Sequence, residues 1–136
     1  MNNDDAATIA LAIVGDMADA LVFADPEGVI RVWNRAAEAL FGFASNEAVG
    51  QSLDMMIPER LREAHWIGFR RAMATGTTRL AGRPTVTRAV HRDGTRLYVE
   101  MSFAVVRSPS GTVLGSVAVA RDVTDRHERE RAAAAR

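Results

Sequence analysis

Cysteine is absent from the 136-residue sequence. That absence excludes disulfides, thiolate metal sites, cysteine nucleophiles and any chromophore attached through sulfur. Lysine is absent too, so all 17 Lys/Arg positions are arginine, a pattern read here as genomic composition bias. An excess of either charge is missing, because 17 acidic residues balance the 17 basic ones. No overall field therefore draws the chain to nucleic acid or to an anionic membrane. No apolar run has the length of a bilayer span, and the opening Met1-Asn2-Asn3-Asp4-Asp5 is acidic where a signal peptide is basic. The expected compartment is the cytoplasm, with neither nucleic acid nor membrane as partner. Hydrolase motifs, glycine-rich phosphate loops and kinase signatures are also missing, and Ser108 and Ser110 have no histidine base arranged by a recognisable motif. The expectation is a non-enzyme.

What is present is enough chain for one domain with a single core. Its clearest pattern is a helix over residues 58–76, with Pro58 suited to the start and Gly76 to the stop. Leu61, His65, Gly68, Phe69, Ala72 and Met73 recur at spacings of three and four, forming an apolar stripe that carries His65. An imidazole placed there needs a hydrogen bond, a ligand or a metal, since burying it unpartnered is unfavourable. Arg62, Trp66 and Arg70 share another face, where surface cation–π stacking is the plain reading and a partner contact the alternative. His91, near a hairpin tip, and His127, in a charged tail, form no metal-ligand spacing with His65.

Along the rest of the chain, Ile9, Ile13 and Met17 mark an amphipathic leader helix begun by Asp4 and Asp5. Strands at 21–24 and 29–33 flank the turn Asp25-Pro26-Glu27-Gly28. Asn34 caps a short helix stopped by Gly42, and a second short helix starts at Ser45. Alternation over 83–92, the Asp93-Gly94 turn, a long strand at 96–106 and another at 113–123 complete a five-stranded antiparallel sheet. The tail 125–136 has strong helix formers and almost no apolar stripe, so fraying or continuation into a coiled coil is expected. The class is α+β, divided into a leader at 1–18, a domain at 19–124 and a C-terminal helix or linker at 125–136.

This order of elements, with Asp25-Pro26-Glu27-Gly28, Trp33-Asn34-Arg35-Ala36-Ala37-Glu38, Leu40-Phe41-Gly42-Phe43, Val49-Gly50, Arg92-Asp93-Gly94 and Asp122-Val123-Thr124, resembles the PAS sensor-domain family. The resemblance covers roughly residues 17–124. It implies a PAS fold whose sheet and short helices enclose a pocket for a small ligand or cofactor, in a bacterial signal-transduction protein of the two-component or transcription-regulating kind. It further implies a homodimer and an effector domain or kinase as partner.

The stretch Leu53-Asp54-Met55-Met56-Ile57-Pro58 with Leu61-Arg62 and Ala64-His65 is similar to haem-binding, oxygen-sensing PAS domains. That likeness implies haem b with His65 as the ligand to iron, walls from Ile57, Leu61, Phe69, Leu80, Val99, Met101, Val117 and Val119, and Arg83, ahead of Thr85, as the residue reaching a bound gas. The same words resemble PAS domains that keep this histidine for packing. The alternative is therefore a cofactor-free dimerisation or interaction module, or a pocket for another small metabolite.

Overall fold

The computed structural model describes residues 1–135. Arg136, the last residue of the expected C-terminal segment, lies outside them. The elements in order are α1 (Asn3–Asp16), β1 (Ala20–Ala24), β2 (Ile30–Trp33), α2 (Arg35–Phe41), α3 (Ser45–Ala48), a 3-10 turn (Leu53–Met56), α4 (Glu59–Thr75), β3 (Thr85–Val90), β4 (Arg96–Arg107), β5 (Val113–Asp122) and α5 (Thr124–Ala134). The five strands form one antiparallel sheet in the order β2-β1-β5-β4-β3. The α+β reading therefore holds, with a five-stranded antiparallel sheet and helices at both ends of the chain.

Strand register decides what faces the core, because side chains alternate sides along a strand. Val22 lies opposite Ala118, and Ala118 opposite Phe103, so these three share the inner face. Ala20, Ala24, Leu97, Val99, Met101, Ala89 and Ala120 are buried on that same face. Trp33, Phe41, Leu53, Met56 and Phe69, from β2, the short helices and α4, close over it. Pro84 precedes β3, an edge strand, so its missing N–H removes no ladder bond.

Asn34 ties the N-terminal half together. Its Oδ1 accepts from Leu21 N at 2.8 Å and from Ala37 N at 3.0 Å, and its Nδ2 donates to Val14 O at 2.9 Å and Asp19 O at 3.1 Å. Among the described residues it is the one polar residue in the buried set, and this fourfold satisfaction is what makes its burial tolerable. Through Val14 the end of α1 is held to the domain. The rest of α1, capped by Asn2 and not by Asp4 or Asp5, buries no residue and leaves Ile9, Leu11 and Ile13 exposed.

The turn between β1 and β2 receives α4. Gly28 has φ of 82°, and a Cβ there would lie 2.2 Å from the Trp66 ring, so glycine is required for both backbone and space. Trp66 donates Nε1–H to Asp54 Oδ1 at 2.7 Å. Arg62 donates to Ile57 O and Asp54 O. The Arg62 and Trp66 face thus docks on the domain, and the surface cation–π stack expected for it is replaced by these hydrogen bonds.

The tail also differs from expectation. α5 lies against β4: Val123 N and Thr124 bond to Tyr98, His127 stacks on Tyr98 with ring centroids 3.9 Å apart, and Arg131 Nη1 donates to Tyr98 Oη at 3.2 Å. Arg126 pairs with Glu100 at 3.3 Å. Stacking and ion pairs hold this helix, so the lack of an apolar stripe did not forecast its place.

Candidate ligand cavity

Between α4 and the inner face of the sheet lies a cavity of about 450 Å³. That is within the roughly 300–1,000 Å³ of small-molecule sites. α4 supplies Leu61, Ala64, His65, Gly68, Phe69 and Ala72, every one at the spacings that put residues on one helix side. The opposite wall is Thr85 and Thr87 from β3, Met101 and Phe103 from β4, Ser116 and Ala118 from β5, and Val22 and Ala24 from β1. Small side chains on β5 and β1 leave the space that α4 spans.

The structure brings His65, Ile57, Leu61, Phe69, Leu80 and Met101 together on this wall. Val99 is fully buried on the same face of the sheet and does not reach the cavity. Val117 and Val119 must be corrected: they pair with Ala104 and Ser102 and sit between the inward Ser116, Ala118 and Ala120, so they occupy the outer face. Arg83 is also displaced. It is exposed, off the cavity wall, with Nε donating to Leu80 O of its own loop at 3.0 Å. Thr85, opposite the inward Met101, takes the place on the wall instead.

His65 differs from the other polar residues of the cavity wall in holding a buried ring nitrogen that nothing meets. Its Nδ1 is buried and has no hydrogen-bond partner. Burial pushes the imidazole below its ordinary value, against a smaller upward pull from Asp54, so at neutral pH the ring is uncharged and keeps a lone pair. The Asp54 carboxylate takes the Trp66 N–H at 2.7 Å and makes no hydrogen bond to His65 Nδ1. An edge contact with Trp66, centroids 4.7 Å apart, and a tilted contact with Phe69 at 5.9 Å fix the ring.

Ala64 and Ser116 were not singled out from the sequence, nor were Thr78 and Arg79 in the loop after α4. Ala64 was legible, since it lies four residues before Gly68. The other histidines stand apart. His91 packs half-buried against Gly42, with Nδ1 3.0 Å from Asp93 Oδ1, and His127 is on the outer face with Tyr98. Among the described residues no cluster of three or more His, Cys, Asp or Glu could hold a metal ion.

A family model described as PAS fold matches residues 15–128. The chain belongs to the PAS family. This PAS domain is 30% identical over 97 residues to the sensor protein FixL of Bradyrhizobium diazoefficiens, covering 71% of the chain and 19% of that protein. It is 30% identical over 95 residues to the oxygen sensor protein DosP of Escherichia coli, covering 70% of the chain and 12% of that protein. The chain thus spans less than a fifth of either relative. The PAS domain of a Colwellia psychrerythraea protein superposes with a TM-score of 0.77 at 22% identity, over 89% of this chain and 99% of that one, a likeness of fold. No helix among the described residues is long and apolar enough to cross a membrane.

Proposed function

We propose that this PAS domain is the non-catalytic sensor module of a bacterial signal-transduction protein, and that its cavity takes haem b, which His65 would hold through a ring nitrogen. One observation carries the reading: a neutral, unpartnered imidazole on the wall of a mainly apolar cavity. The residues fit the group on this side. A buried polar atom without a partner costs roughly 1–3 kcal/mol, and a group that met it would recover that loss. Likeness to two sensor proteins, one named for oxygen, supports the same choice.

Haem would supply an iron site for a diatomic gas. The chain's own residues do the rest. His65 offers a ring nitrogen held by Trp66 and Phe69. Leu61, Phe69, Leu80, Met101 and Phe103 give the space around it an apolar wall. Thr85 and Thr87 present hydroxyl-bearing side chains from the opposite strand. A change at the wall has a short route outward: Ala120 and Asp122 on β5 pair with Met101 and Val99 on β4, and Val123 leads directly into α5. In the parent protein that helix would pass the change to an effector domain or a kinase. A visible absorption spectrum of the protein purified from haem-replete cells tests the reading, and absence of a haem band would count against it.

A second reading has its own observation. α1 buries nothing while exposing Ile9, Leu11 and Ile13, and Leu21, Phe23, Val117 and Val119 make the outer face of β1 and β5 apolar. These surfaces suit a homodimer, with or without a ligand in the cavity.

A further inference from the structure

We infer that the cavity selects ligands that end in an acid, and that Arg79 receives the acid group. The inference rests on the cavity being the ligand site, and not on which apolar body fills it. The chain has equal numbers of acidic and basic residues, yet among the described residues no Asp or Glu borders the cavity, while Arg79 and Arg88 do. Arg88 is engaged elsewhere. Its guanidinium lies 5.6 Å from the Tyr98 ring centre, and Tyr98 is the residue it pairs with on the outer face of the sheet.

Arg79 is different. It sits in the loop between α4 and β3, on the cavity wall and exposed to solvent, and it has no hydrogen-bond or ion-pair partner among the described residues. Other arginines at this loop are spoken for: Arg83 donates to Leu80 O, and Arg107, at the end of β4, donates to Gly76 O. A free guanidinium beside Leu80, at the solvent side of an apolar chamber, matches a molecule whose apolar body lies under α4 and whose anion stays near water. Thr78 is the adjacent side chain on the wall and adds a hydroxyl donor for the same group.

Two dyes with a common aromatic body test this on the purified chain: anilinonaphthalene sulfonate and its uncharged relative phenylnaphthylamine. Both should bind and compete with each other, the sulfonate more tightly. Arg79→Gln should weaken the sulfonate about threefold to tenfold, the range for a charge-assisted contact open to solvent, and leave the uncharged dye unchanged. Arg83→Gln should alter neither. Ala118→Leu, which narrows the chamber floor, should weaken both. Equal sulfonate binding by the parent chain and Arg79→Gln, with both dyes still competing, would overturn the role of Arg79 while leaving the cavity as a site. Failure of both dyes to bind, or binding untouched by Ala118→Leu, would overturn the cavity itself and the inference with it.

Discussion

Tyr98 and His127 stack ring on ring, 25° from parallel with centroids 3.9 Å apart, and so fasten the last helix of the chain to the outer face of the sheet. Val99, the next residue on β4, is fully buried on the inner face. Adjacent strand residues point to opposite faces, which places the core and the outgoing helix on two sides of one peptide. Tyr98→Ala should remove the stack, worth about 0.5–1.5 kcal/mol, together with the Arg131 contact. Amide exchange in α5 should then approach the rate of an unprotected helix while the sheet amides stay slow. Unchanged protection of α5 would show that the helix is held by something other than Tyr98.

Asn34→Ala removes four hydrogen bonds that converge on one buried side chain. The expected loss is roughly 2–4 kcal/mol, a helix cap plus buried backbone groups left unmet. Urea denaturation measures it, and α1 should become protease-sensitive because Val14 loses its tie. A loss below about 0.5 kcal/mol, the range of ordinary surface substitutions, would contradict the hub role.

The exposed apolar side of α1 predicts self-association. Sedimentation at roughly tens of micromolar should detect a dimer, and Ile9→Glu with Ile13→Glu, which share one helix side, should return it to monomer. A parent chain that is monomeric at that concentration would remove the dimer reading.

His65 also makes a forecast about acid. Burial holds its folded-state value below the ordinary 6.5, so on acidification the unfolded chain takes up a proton before the folded one does. The cofactor-free domain should therefore lose stability as pH falls through about 6.5, and the loss should level off below the folded-state value. His65→Gln should flatten that part of the pH profile. An identical slope in the variant would mean that other groups set it.

The sequence made the α4 stripe legible because a helix repeats its pattern whatever it packs on; Leu61, His65 and Phe69 were placed by spacing alone. It misled at β5. In Gly115-Ser116-Val117-Ala118-Val119-Ala120 both faces are apolar or small, so the strand carries no parity signal to test the wall positions that the resemblance to haem-binding domains implied for Val117 and Val119. Pairing with Val22 and Phe103 sets the opposite parity, turning small residues inward and leaving room for a ligand. The remaining surprises are long-range as well. Asn34 reads locally as a cap, while its bonds to Val14 and Asp19 span 20 and 15 residues, and α5 docks through partners on β4 that no local pattern announces.

The central claim is that His65 is a ligand to haem and not a packing residue, and titration of hemin into the cofactor-free protein, parent and His65→Ala side by side, tests it most directly. The parent should develop a sharp Soret band that saturates at one haem per chain, and His65→Ala, folded by circular dichroism, should not. A parent chain without that band, or a variant with the same band and affinity, would contradict the claim and leave His65 as a residue of the core.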